Sequence, residues 1–221
     1  MQVPKVTITS TEQTTNLSIQ TTQQILTALQ TNGVCVLENL VDSETANTNY
    51  NKCIQEWNDI TTAQAGLQEL YEGIFQNVVP RYSELAPRGP KRYSISTFHS
   101  PKLRANAILS NIMTQALSMG GKSSCFSEET VISLPGSDEQ RVHVDAGHLY
   151  DPYETKPLPC YHYSCFIALC DQTKETGNTC FSLGSHLTHG GGHESKEYWN
   201  YVSCKNTKRL FFFIFDFSFH F

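Results

Sequence analysis

Three things are scarce in this chain: long apolar runs, paired cysteines and clustered basic residues. The longest apolar stretch, Leu210 to Phe215, falls far short of the roughly 20 residues a membrane-spanning helix needs, so no membrane partner is expected. The N-terminus, Met1-Gln2-Val3-Pro4-Lys5 followed by a threonine-rich run, has no apolar core of a secretory signal. An intracellular, cytoplasmic location is the corresponding expectation. Eight cysteines are present but none forms a Cys-x-x-Cys pair, which argues against zinc ribbons and dithiol redox motifs. They read as reduced, partly buried thiols. A net charge of −5 without a basic stripe gives no reason to expect nucleic-acid binding.

What remains is an ordinary globular composition, 39% hydrophobic and 17% charged over 221 residues. That length suits one domain with a real core. No internal repeat or linker divides residues 1–221, so a single domain is expected.

Helical spacing dominates the first half. Thr21-x-x-Gln24 is a capping-box pattern before Ile25, Leu26 and Leu29, with Gly33 as the stop. Val34 to Leu37 then reads as a buried strand. Asp42 or Ser43 caps a second helix carrying Ala46, Tyr50, Cys53, Ile54 and Trp57 on one face. Leu67, Leu70, Tyr71, Ile74 and Phe75 mark a third. Pro80, Pro87, Gly89 and Pro90 predict a loop over 79–91, followed by a strand with Tyr93, Ile95 and Thr97 alternating. Leu103, Ile108, Ile112, Met113 and Leu117 predict a fourth helix ended by Gly120-Gly121.

Beyond that point the period changes. Residues 131–134, 140–144, 161–169, 179–183 and 210–219 all read as strands. Helices first (about 18–120) and strands second (about 125–221) predict an α+β domain, an antiparallel core with helices packed on one side.

The chemistry concentrates in His143-Val144-Asp145. On a strand, residues two apart share a face, so an imidazole and a carboxylate stand side by side. They make two corners of a 2-His-1-carboxylate triad, which holds Fe(II) on one side and leaves positions open. The plain alternative is a strand histidine hydrogen-bonded to a nearby acid, with no metal.

The order of motifs around this pair resembles the phytanoyl-CoA dioxygenase family of non-haem iron, 2-oxoglutarate-dependent oxygenases. Residues Gln140 to Asp145 resemble that family's metal-binding strand, and Cys165 to Thr173 its next core strand. Glu175-Thr176-Gly177 matches its Glu-x-Gly turn. Phe181 to His186 resembles its Pro-Gly-Ser-His element, with Leu183 where proline is usual. Asn32 to Leu40 is similar to its opening helix-to-strand step.

The resemblance implies a double-stranded β-helix, the jelly-roll barrel also found in cupins. It implies Fe(II), 2-oxoglutarate as cosubstrate, dioxygen, and hydroxylation of an unactivated C–H bond of a small-molecule substrate. The family's distal histidine lies near the end of a late strand. Here Phe213, Phe215, Phe217 and Phe219 alternate with Ile214, Asp216, Ser218 and His220, which makes His220 the third expected ligand beside His143 and Asp145. The aspartate-to-histidine spacing is one residue shorter than usual, and the Arg-Gly that generally follows is missing.

The family's next strand supplies an arginine that forks onto the remote carboxylate of 2-oxoglutarate, and no residue here takes that position. Two endings fit. Either another cation, such as Lys91, Arg92 or Arg141, holds the cosubstrate, or the last barrel strand is missing from a truncated or frame-shifted product. In the second case the chain is a catalytically inactive binding protein or a non-functional product. A metal-free or zinc-containing cupin-like binding protein is a third reading.

Secondary features carry less. His186, His189 and His193 lie in a glycine-rich loop, as a substitute ligand set or a surface segment near the site mouth. His148 suits a supporting role around the metal. Cys160, His162 and Cys170 alternate away from Cys165 and do not converge as a zinc set. Tyr150, Tyr153, Tyr161 and Tyr163 read as core or rim packing.

Overall fold

The computed structural model describes residues 2–14, 16–70, 85–89, 91–95, 100–117, 122–140, 143, 160–173, 176–177, 179–187, 199–201 and 211–220. Their order is β1 (Lys5–Thr7), α1 (Ser10–Thr14), α2 (Ile19–Asn32), β2 (Val36–Glu38) and α3 (Ser43–Leu70). There follow β3 (Leu85–Gly89), β4 (Arg92–Ile95), α4 (Pro101–Arg104), α5 (Ala107–Leu117) and β5 (Lys122–Ser133). The rest are β6 (His162–Ala168), β7 (Cys180–Ser182), β8 (Trp199–Tyr201) and β9 (Phe211–His220).

The N-terminal unit is knit by one carboxylate. Glu12 accepts hydrogen bonds from Thr9 N and Oγ1 (3.1 and 2.9 Å), Ser18 N (3.0 Å) and Thr21 Oγ1 (2.6 Å). These bonds hold its carboxyl down at about 2, the Thr21 hydroxyl contributing most. They also fix where α2 begins. Ser18, not Thr21, is the cap: its Oγ accepts from Thr21 N at 3.0 Å. At the other end Gly33 turns left-handed at φ 76° and donates its N–H to Leu29 O, as its position predicts. Ile25, Ala28 and Leu29 are the buried stripe. The threonine-rich start forms a strand unforeseen in the sequence: β1 pairs in parallel with β2, Val6 opposite Leu37.

Asp42 caps α3, accepting from Thr45 N at 2.7 Å. The expected second helix runs on as far as Leu70 of the expected third, whose Tyr71, Ile74 and Phe75 lie outside the described residues. No proline interrupts it, and Gly66, between the two apolar stripes, costs a helix interior only about 1 kcal/mol. The expected fourth helix is two, because Asn106 Oδ1 takes the Leu109 N–H (2.9 Å) and starts α5 anew.

Residues 85–89 form a strand where a loop over 79–91 was expected. Pro87 is tolerated there because β3 is an edge strand, with a register irregularity between Pro87 and Gly89. The five-stranded sheet runs β3-β4-β5-β9-β6, antiparallel throughout. Helices cover one face. Cys53 of α3 meets Thr130 (Sγ to Oγ1 3.8 Å), Met113 of α5 meets Cys165 (3.6 Å), and the Trp57 ring lies 5.3 Å from that of Tyr93. Ile95, Ile112, Thr130, Ile132 and Ile167 are buried in this layer. The mixed helix-and-sheet class therefore agrees with the α+β expectation. β7 and β8 pair separately and antiparallel. Among the described residues no helix is long and apolar enough to cross a membrane.

Candidate functional site

The two faces of the sheet differ in chemistry, and the register shows how. Glu128, Thr130 and Ile132 of β5 and Ile167 of β6 are buried on the helix side. The β9 positions paired to them are Phe215, Phe213 and Phe211. The alternate positions fall in another row. His162 is opposite Ser218, which is opposite Ser124; Ser164 is opposite Asp216, which is opposite Ser127; His220 is opposite Lys122. Period-two alternation assigns this polar row to the face away from α3 and α5. On that face Phe166 is exposed, as expected where no helix covers the sheet.

The sheet thus has two distinct ends. His220, Lys122 and His162 mark one. Arg92 marks the other, donating from Nε to Ser133 Oγ (3.0 Å) and from Nη2 to the Asp138 carbonyl (2.9 Å). Partial burial pulls the guanidinium below its usual range, and Asp138 opposes that shift. Beyond β6, at the Arg92 end, Asp171 Oδ1 and both amide atoms of the 2% exposed Gln172 are buried without a hydrogen-bond partner among the described residues.

His143 is exposed and, like Gln140, lies outside any strand, which corrects the strand expected over 140–144 at those positions. The chain reaches it from β5 through a tight turn: Ser137 N donates to Leu134 O (3.0 Å) and Gly136 is left-handed at φ 80°. It then runs past Arg92 without entering a described ladder. Asp145 and His148 lie outside the described residues, as do Arg141, His189, His193, Tyr150 and Tyr153. His220 is placed by its backbone at the end of β9.

Distances along the chain limit how these ligands meet. The twelve residues of β5 span about 36 Å, whereas the five residues from Asp138 to His143 reach about 18 Å at most. Even fully extended, residues 138–143 cover only about half of that length, so from Asp138 the chain leaves His143 well short of the Lys122–His220 end of the sheet.

Other candidates are spoken for. His186 Nε2 donates to the Gln30 carbonyl at 3.0 Å, and its ring covers Gly33 at the end of α2, so it is committed to holding that helix terminus. Lys91 sits at the β3–β4 turn with a left-handed φ of 55°, its amine near Gly136. Cys165 packs on Met113, whereas Cys160 is exposed with its Sγ donating to the His162 carbonyl at 3.1 Å. Burial, with Cys160 nearby, pushes the Tyr163 hydroxyl above its ordinary range. Among the described residues no group of three or more histidine, cysteine, aspartate or glutamate residues is gathered to hold a metal ion; Asp145, of the expected triad, lies outside them. An open groove of about 1000 Å³ between β1 and α2 is lined by residues such as Gln20, Gln23 and Thr27, without an acid, imidazole or thiol.

The polar row containing Lys122 and His162 was not anticipated. Its signal was the alternation in Lys122-Ser123-Ser124 and His162-Tyr163-Ser164, which becomes meaningful only once β9 is set between the two strands.

Comparison with known proteins gives one decisive match: residues 29–206 fit the phytanoyl-CoA dioxygenase family. No curated protein matches the chain. The matched segment includes His143 and Asp145 and ends before β9. It covers well over half of the sequence, and the chain belongs to the phytanoyl-CoA dioxygenase family.

Proposed function

We propose that the protein is an Fe(II)/2-oxoglutarate-dependent oxygenase that hydroxylates an unactivated C–H bond of a small organic substrate. The observation that carries this is the family match spanning His143 and Asp145. His143 and Asp145 would supply one imidazole and the carboxylate to Fe(II), and His220, the third expected ligand, would complete a set of two imidazoles and one carboxylate only if the strand carrying it met them. Bound iron supplies, with 2-oxoglutarate, the activation of dioxygen that the side chains cannot provide.

The barrel reading draws on the family match, and the antiparallel order β5-β9-β6 is compatible with one wall of a jelly roll.

The test is an anaerobic titration with Fe(II) and 2-oxoglutarate, followed by the visible charge-transfer band of the chelate. The band is expected in the wild type and absent in His143→Ala. Iron binding without any band, or no iron binding at all, would sink the proposal.

A further inference from the structure

We infer that Asn32-Gly33 is a latent deamidation site, held closed by residues 184–186 and opened when they leave the end of α2. It is the one Asn-Gly step in the chain. Glycine hinders attack on a preceding asparagine side chain least, because it has no Cβ. In the reaction the Gly33 nitrogen bonds to Asn32 Cγ and the Cγ–Nδ2 bond breaks. Nδ2 leaves as ammonia, taking the Gly33 amide proton with it. Water then opens the succinimide ring at either carbonyl and gives aspartate or isoaspartate, so water is the only co-reactant.

The folded chain restrains each group that has to move. The nucleophile, Gly33 N, donates to Leu29 O at 3.0 Å. Asn32 is the last residue of α2, and its Nδ2 donates to Ala28 O at 3.4 Å, back along the helix. Attack requires Asn32 to leave the helical range of ψ so that the Gly33 nitrogen can swing toward Cγ. Asn32 O and Gly33 N share one peptide plane, so that swing turns both. The loop after β7 resists it twice. Gly184 N donates to Asn32 O at 2.9 Å, and the His186 ring covers Gly33 while its Nε2 donates to Gln30 O at 3.0 Å. The reacting peptide is thus held by the helix on one side and by the loop on the other.

The product would keep the loop off. Either acid places a carboxylate at the C-terminal end of α2, where the helix dipole disfavours negative charge. Isoaspartate also routes the backbone through the side-chain carbon, which draws Gly33 N away from Leu29 O. Deamidation is therefore an irreversible release of residues 184–186 from the helical half.

The experiment incubates the full chain at mildly alkaline pH, native or in urea, and follows every asparagine by peptide mass spectrometry. In urea Asn32 should deamidate first. In the native protein it should react roughly tenfold more slowly or less, because opening breaks two backbone hydrogen bonds. His186→Ala should raise the native rate about fivefold, the worth of one hydrogen bond, and leave the rate in urea unchanged. In the deamidated fraction, separated by anion exchange, the Gly184 amide should exchange its hydrogen faster than in the intact protein. Another asparagine reacting first in urea overturns the choice of site, and equal wild-type rates with and without urea overturn the closure. Equal native rates in wild type and a His186→Ala that folds by circular dichroism overturn the part given to the loop. Unchanged exchange at Gly184 overturns the release.

Discussion

Gly33→Ala offers a measurable probe of how the motif loop after β7 is fastened to the helical half. Gly33 is left-handed at φ 76°, a conformation that costs an alanine roughly 1–2 kcal/mol. A Cβ there would also meet the His186 ring, 2.8 Å from its Cγ, and displace it from the Gln30 carbonyl. Losing that bond costs about 1 kcal/mol more. The expected total, about 2–3 kcal/mol, corresponds to a fall of roughly 5–10 °C in Tm for a chain of this size. Thermal unfolding by circular dichroism measures it, and a double-mutant cycle separates the terms. His186→Ala alone should cost about 1 kcal/mol, and Gly33→Ala made on top of it only the dihedral strain. The two sites should therefore couple by about 1 kcal/mol. A neutral Gly33→Ala, or an identical cost with and without His186, would refute the clasp.

Two further outcomes follow from buried polar groups. The folded Glu12 carboxyl, near 2, lies below its unfolded value of 4.5, so its stabilisation is complete above pH 4.5 and disappears as pH falls toward 2. Urea unfolding should show Glu12→Gln less stable than wild type at pH 7 and equal to it near pH 2; a gap independent of pH would contradict this. Gln172 carries a buried amide with no partner among the described residues, so Gln172→Met should raise stability by about 1 kcal/mol, seen as a higher urea midpoint. A lower midpoint would mean that the amide is satisfied by bound water.

How much of this was legible beforehand depended on how local the determining forces are. Gly33 as a helix stop, Asp42 as a cap and the strand at 162–168 follow from residues within a turn of one another, and the sequence displays them directly. Errors arose where a distant partner decides. Ser18 became the cap because Glu12, on another helix, holds both its N–H and the Thr21 hydroxyl. β1 exists because Val36 to Glu38 offers it a parallel partner some thirty residues away. β5 begins at Lys122, well ahead of the expected Val131, because its serine-rich first half gains a ladder from β9 rather than from its own weak propensity. The family motifs were legible because they lie in order along the chain; the polar row was not, because it is assembled from three separated strands.

That assembly ties the candidate site to the stability of the sheet. β9 pairs along nearly its whole length with β5 and, from Phe212 to Ser218, with β6. Without it both neighbours would present unpaired edges. Removing the strand to remove His220 would therefore damage the fold along with the ligand, and a loss of iron binding in such a deletion would say nothing about the imidazole. His220→Ala keeps both ladders, whose hydrogen bonds are made by the backbone. The ligand role of His220 is consequently decided by point substitution, with the sheet intact, and by that route alone can chemistry at this end of the sheet be separated from its architecture.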